Sequence, residues 1–183
     1  AISLQPKAAD YYAVYGTYLL KLGKIDDAIA QFKQAASIDP KNPKNKEYLE
    51  AVDDAMGDKV APIAEAAVKL QQDGKYQEAI LKYQEALKIL PNNGPLLRNM
   101  GSAYQAADDF QNAFLCYKQA YAADPKGEVN CLYFMAVIDE NYKRGQAAFD
   151  KYNQYKREAP AGQVIKEVNA RIAALSKNVA DTL

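Results

Sequence analysis

The chain has 183 residues, in which 23 Lys plus Arg balance 23 Asp plus Glu, and 49% of positions are apolar. That is the composition of a chain that folds, and zero net charge without a basic stripe argues against nucleic acid as partner. No apolar run approaches the roughly 20 residues of a membrane-spanning helix, and the absence of histidine removes the usual general base near neutral pH.

In chain order, the first predicted element is residues 9–42. Tyr12, Tyr15, Gly16 and Leu19 recur at spacings of three and four, as on one face of a helix. A turn follows at Leu22-Gly23-Lys24-Ile25-Asp26, and a second helix carries Ala28, Phe32 and Ala35 before Pro40, which has no N–H and stops it. Residues 43–59 form an extra amphipathic stretch, with Leu49, Val52 and Met56 on one face and Glu47, Glu50 and Asp54 on another. Residues 60–93 repeat the first pattern with Ile63, Ala66, Ala67, Leu70, Gly74, Ala79, Tyr83, Ala86 and Pro91. Residues 94–127 repeat it again with Leu97, Met100, Gly101, Tyr104, Asp108, Ala113, Tyr117, Ala120 and Pro125. Gly23 and Gly74 suit the positive φ of a helix C-terminus, and Asp108 stands where the third unit should have such a glycine.

A fourth unit, residues 128–162, has one residue too many. Counted on from Pro125 its first helix presents Cys131, Phe134, Met135 and Ile138, whereas Ala148, Tyr152 and Pro160 fit one residue later. The extra residue is therefore expected in the turn near Tyr142–Gly145. A last helix over residues 163–178 has Val164, Ile165, Val168, Ile172 and Leu175 on one side and reads as a cap. The stretch 43–59 either runs on into the next helix as a rod broken or bent near Gly57 and Pro62, or folds back as a brace. The rod would let the first unit pack on a second copy as an exchanged dimer.

The Gly/Ala, Ala, aromatic and Pro positions, at a period of 34, resemble the tetratricopeptide repeat, W-x2-L-G-x2-Y, then A-x3-F, then P. The resemblance implies an all-α solenoid of helical hairpins wound as a right-handed superhelix, closed by a C-terminal capping helix. In such proteins the ligand lies in the groove lined by the first helix of each unit. Counting in frame, that groove is Ala13, Thr17 and Leu20 in the first unit, and Ala64, Glu65, Val68 and Gln71 in the second. The third contributes Arg98, Asn99, Ser102 and Gln105, the fourth Leu132, Tyr133, Ala136 and Asp139. Arg98 and Asn99 are the polar anchors to test first. Family members that clamp a C-terminal carboxylate use Lys, Asn and Arg at set positions. Here only Asn99 matches, with Ala64, Val129 and Tyr133 at the cationic ones.

The function expected is a non-enzymatic scaffold that holds a peptide or a protein, without cofactor or metal, nucleic acid or membrane insertion. The alternative is a self-assembly module forming homo-oligomers. Asp26–Asp27 and Asp108–Asp109 open helices, which explains them as caps rather than ligands. Cys116 and Cys131 are too few for a disulfide framework or a zinc site, and their apolar surroundings favour buried thiols over a bridge. The chain starts at Ala1, so the sequence fits a cytoplasmic protein, or a periplasmic or secreted one whose signal peptide has been removed.

Overall fold

The structure is a computed structural model that describes residues 5–159, 161 and 164–180. Among the described residues there are nine α-helices and no strand. They are α1 (Gln5–Lys21), α2 (Ile25–Ile38), α3 (Lys44–Gln72), α4 (Tyr76–Ile89), α5 (Gly94–Ala106), α6 (Phe110–Ala123), α7 (Asn130–Asn141), α8 (Gly145–Glu158) and α9 (Ile165–Ala180). The chain divides into two compact units, Ala1–Pro62 and Ile63–Leu183. Pro160 and Gln163 lie outside the described residues.

Each hairpin closes by the same local chemistry. The residue after the first helix takes a left-handed conformation: Gly23 (φ 70°), Gly74 (74°), Asp108 (60°) and Lys143 (56°). The next N–H then reaches back to a free carbonyl of the first helix, from Lys24 to Leu19, Lys75 to Leu70, Asp109 to Tyr104 and Arg144 to Asp139, at 2.8–3.0 Å. Two of these four positions hold a side chain where glycine is free of strain. Lys143→Gly is therefore expected to raise stability by about 0.5–1 kcal/mol, read as a higher urea midpoint at unchanged slope.

Packing between the two helices of a hairpin rests on a small residue against an aromatic ring. A Cβ on Gly16 would come within 2.7 Å of Phe32 Cε1, and one on Gly101 within 2.9 Å of Tyr117. Ala28, Ala79, Ala113 and Ala148 are fully buried, and so are Tyr83, Tyr117 and Tyr152. The second helices α2, α4 and α6 end at Ile38, Ile89 and Ala123, just ahead of Pro40, Pro91 and Pro125.

In the unit Ala1–Pro62, residues 44–59 are neither a separate helix nor a brace. They are the first part of α3, which continues through Gly57 and Pro62 to Gln72. Their apolar face is Tyr48, Val52, Ala55 and Met56, packed against Leu19, Ile25, Ala28 and Phe32. Tyr48 stacks on Phe32 with ring centroids 4.9 Å apart. Leu49, expected on that face, is exposed, because Tyr48 takes the inward place one residue earlier.

In the unit Ile63–Leu183, α4 packs on α5, α5 on α6, α6 on α7, α7 on α8 and α8 on α9. The register of α7 differs from the one expected. The buried residues of α5 are Leu96, Leu97, Met100, Gly101 and Ala103; those of α7 at the matching places are Cys131, Leu132, Met135, Ala136 and Ile138, each 35 residues on. The turn at Tyr142–Gly145 has the same length as the one at Ala107–Phe110. The extra residue thus lies in the loop between α6 and α7, where Asp124 accepts from the N–H of Gly127 (2.9 Å) and of Glu128 (2.9 Å). Ala136, not Met135, is the small residue against the second helix.

Candidate peptide-binding groove

A hydrogen-bond ladder marks the groove side of the first helices in the unit Ile63–Leu183. Tyr83 donates its hydroxyl to Gln71 Oε1 (3.2 Å), Tyr117 to Gln105 Oε1 (2.9 Å) and Tyr152 to Glu140 Oε2 (2.9 Å). Each pair is 12 residues apart and each tyrosine ring is core, so the buried hydroxyl finds its partner at the groove rim. In the unit Ala1–Pro62 the same two places hold Phe32 and Leu20, an apolar pair that needs no hydrogen bond. Burial pushes Tyr83, Tyr117 and Tyr152 above the usual phenol range, so their hydroxyls remain donors at neutral pH.

Above this ladder lie two adjacent concave surfaces. One, of about 450 Å³, is lined by Arg98, Asn99, Ser102, Gln105, Ala106, Tyr117 and Phe134. The other, of about 480 Å³, is lined by Val68, Gln71, Gln72, Tyr76, Tyr83, Asn99 and Ala106. Asn99 and Ala106 belong to both, so the two form one groove across α3, α5 and α7. Gln71 donates to Ser102 Oγ (3.1 Å), linking neighbouring first helices across its floor.

Arg98 Nε sits 3.1 Å from Glu128 Oε2 as an ion pair, without the alignment of a hydrogen bond, and Nε itself is shielded from solvent. Glu128 is buried, which pushes its carboxyl up while Arg98 pulls it the other way. The guanidinium is thus fixed at the groove edge by a loop residue rather than left free on the surface. Beyond α7 the groove ends in a charged seam. Arg171 Nη1 meets Glu140 (2.7 Å), Arg171 Nη2 meets Glu167 (2.8 Å), and Tyr133 donates to Glu167 (2.8 Å).

Of the residues expected to line the groove, Val68, Gln71, Arg98, Asn99, Ser102 and Gln105 line these two concave surfaces. Glu65 is exposed and Ala64 half-buried on the same helix, outside both cavities. In the unit Ala1–Pro62, Ala13 is buried, Leu20 packs on the core, and Thr17 is exposed with its hydroxyl bonded to Ala13 O (3.0 Å). Leu132, Ala136 and Asp139 are corrected: all three are buried core residues, because the one-residue shift turns them inward. The groove face of α7 is Tyr133, Phe134, Val137 and Glu140, all half-buried, and Phe134 stacks towards Tyr117 with centroids 5.0 Å apart. In the corrected register the two cationic clamp positions of the fourth unit hold Asn130 and Phe134, again without charge. Gln72, Tyr76, Ala106 and Phe134 are lining residues the sequence reading missed.

Asp139 is held by two cations, Oδ1 to Arg144 Nε (2.9 Å) and Oδ2 to Lys151 Nζ (2.6 Å), both of which lie over the Phe114 ring. Cys116 and Cys131 are free and buried, and burial pushes the thiols up to about 11 and about 12. Asp109 caps α6, accepting from Asn112 N at 3.1 Å. Among the described residues no group of three or more His, Cys, Asp or Glu is placed to hold a metal, and no helix is long and apolar enough to cross a membrane.

Comparison with known proteins agrees with this fold. Tetratricopeptide repeat models match residues 9–42 and 97–126. The chain is 30% identical over 125 residues to the photosystem I assembly protein Ycf3 of Synechococcus sp. (strain WH7803), covering 60% of this chain and 70% of that one. It is 39% identical over 87 residues to Ycf3 of Prochlorococcus marinus (strain NATL1A), covering 46% of this chain and 49% of that protein, so it spans about half the length of that relative. Similar solved structures include the first TPR of Spaghetti (RPAP3) bound to the HSP90 peptide SRMEEVD. Its TM-score is 0.59 and its identity 22%, over 67% of this chain and 94% of that one. The MamA protein matches with a TM-score of 0.58 and 16% identity, over 95% of this chain and 84% of that one. The chain belongs to the tetratricopeptide repeat superfamily, whose repeats serve as protein–protein interaction scaffolds.

Proposed function

We propose that the chain is a non-enzymatic scaffold that holds a segment of a partner protein in the groove across α3, α5 and α7. The observation that carries this reading is the pair of concave surfaces joined at Asn99 and Ala106, floored by tyrosine rings and edged by amide and hydroxyl side chains. Such a surface offers apolar contact along its floor and hydrogen bonds at its rim, the needs of a docked peptide. It contains no nucleophile paired with a base. The cationic clamp positions hold neutral residues, which favours an internal segment over a C-terminal carboxylate. The likeness to photosystem I assembly proteins supports a partner that is a subunit on its way into a larger complex. The part of the chain that binds is then Ile63–Leu183, the second to fourth repeats and the cap, with the first repeat free for a separate task.

The test is capture of the partner from the source lysate, followed by titration of the captured protein. Arg98→Glu places a negative charge beside Glu128 at the groove edge and is expected to weaken binding about tenfold, a difference of about 1.4 kcal/mol. Lys118→Glu, on exposed surface of α6 away from both cavities, leaves affinity unchanged. Equal affinity in wild type and Arg98→Glu removes the groove reading.

A further inference from the structure

Helix α1 carries a second apolar surface that the groove does not use. Tyr11 (68% exposed), Val14 (71%), Tyr15 (44%), Tyr18 (57%) and Leu22 (53%) are large hydrophobic residues in solvent. Their spacing of three and four puts them on one stripe, opposite the side on which Ala9, Ala13, Gly16 and Leu19 meet the core. Tyr11 and Tyr15 stack on each other, centroids 6.4 Å apart, and so form an aromatic plate. Single exposed apolar residues are ordinary, whereas five in one row are not.

The places these residues occupy are ones that receive a helix elsewhere in the chain. Tyr11, Tyr15 and Tyr18 correspond by repeat position to Leu96, Met100 and Ala103 of α5, and to Cys131, Met135 and Ile138 of α7. Those six are buried, with α4 packed on α5 and α6 on α7. In α1 the corresponding face carries three tyrosines and lies open.

We infer that this stripe is a homodimer surface, on which α1 of one copy packs antiparallel against α1 of a second. The charge pattern commits the occupant. Asp10 and Lys21 are exposed and lie on the same flank of the stripe, one at each end. An antiparallel pair that sets Tyr11 opposite Leu22 of the other copy and Tyr15 opposite Tyr18 has one register. That register also brings Asp10 within about 3 Å, along the helix axis, of the place opposite Lys21, twice across the two-fold axis. Same-flank positions meet in an antiparallel helix pair, so both ion pairs form. A face about three turns long buries less than about 1,200 Å² in total, which places the dimer among weak, concentration-dependent associations.

Sedimentation velocity on the full chain, from about 1 μM to about 1 mM protein, tests this. The expected result is a reversible monomer–dimer equilibrium that Tyr15→Glu or Tyr18→Glu weakens about tenfold or more while the thermal melt, followed by circular dichroism, stays in place. Asp10→Lys and Lys21→Asp each weaken the dimer about three- to tenfold, and the double swap in one chain restores it. An equimolar mixture of the two single variants forms a heterodimer tighter than either homodimer. Arg98→Glu leaves the dimer unchanged, which separates this surface from the groove. A monomer at every concentration overturns the inference, as does a dimer insensitive to Tyr15→Glu. A dimer whose strength ignores the charge swaps overturns the antiparallel pairing.

Discussion

Asp139→Ala is expected to lower the stability of the chain by about 3 kcal/mol in urea denaturation, a large effect for a single carboxylate. Asp139 is 2% exposed, and both of its oxygens are engaged by cations, Arg144 and Lys151. The first, second and third repeats hold Leu19, Leu70 and Tyr104 at this position, so the carboxylate sits where the repeat pattern calls for an apolar side chain. Removing it leaves a void and strands the Lys151 ammonium, which is 23% exposed and held over the Phe114 ring. Arg144 is half exposed and can turn to water, so most of the penalty falls on Lys151. The converse variant, Lys151→Ala, strands a buried carboxylate oxygen and is expected to cost at least as much, about 3–5 kcal/mol. Replacing both partners together, Asp139→Leu with Lys151→Met, removes both buried charges at once and is expected to stay within about 1 kcal/mol of wild type. A loss below about 1 kcal/mol for Asp139→Ala would show that the cations reach solvent without resistance.

Asp139 also shows how far the fold could be read from residues alone. The small, aromatic and proline positions were legible because they are imposed by close contact between two helices. Gly16 against Phe32 and Gly101 against Tyr117 leave room only for glycine or, with a small shift, alanine. Loop length is not imposed in that way. Counting on from Pro125 placed α7 one residue out, which put Leu132, Ala136 and Asp139 in the groove and left Phe134 out of it. The signal that would have corrected this was in the sequence: the close-approach position needs a small residue, and Ala136 supplies it where Met135 does not. The pairing of each helix-two tyrosine with a polar residue 12 positions earlier agrees, since it selects Glu140 as the counterpart of Gln105. The groove residues of α5 were legible because a helix fixes side-chain direction once its register is known. The stripe on α1 was not, because Tyr15 satisfies the repeat pattern as well when exposed as when buried.

The groove and the core meet at Gly101, and Gly101→Leu is expected to disturb both. A Cβ there would lie 2.9 Å from Tyr117 Cδ1 and 3.2 Å from Cys116 Cβ, so a larger side chain must push α5 and α6 apart or expel the ring. Overpacking of this kind costs about 3 kcal/mol. The ring it displaces lines the groove and holds Gln105 by a 2.9 Å hydrogen bond, so partner affinity should fall together with stability. Gly101→Ala separates the two effects. Ala67 and Ala136 occupy the same position in the second and fourth repeats, fully buried, so the hairpin admits one methyl group with a small shift. Its expected cost is about 1 kcal/mol, with Tyr117 still bonded to Gln105 and partner affinity within about threefold of wild type. If Gly101→Leu unfolds at the wild-type urea concentration, the tyrosine ring is not pinned between the helices. The groove then loses its fixed floor, and the ladder of Tyr83, Tyr117 and Tyr152 cannot be what sets its shape.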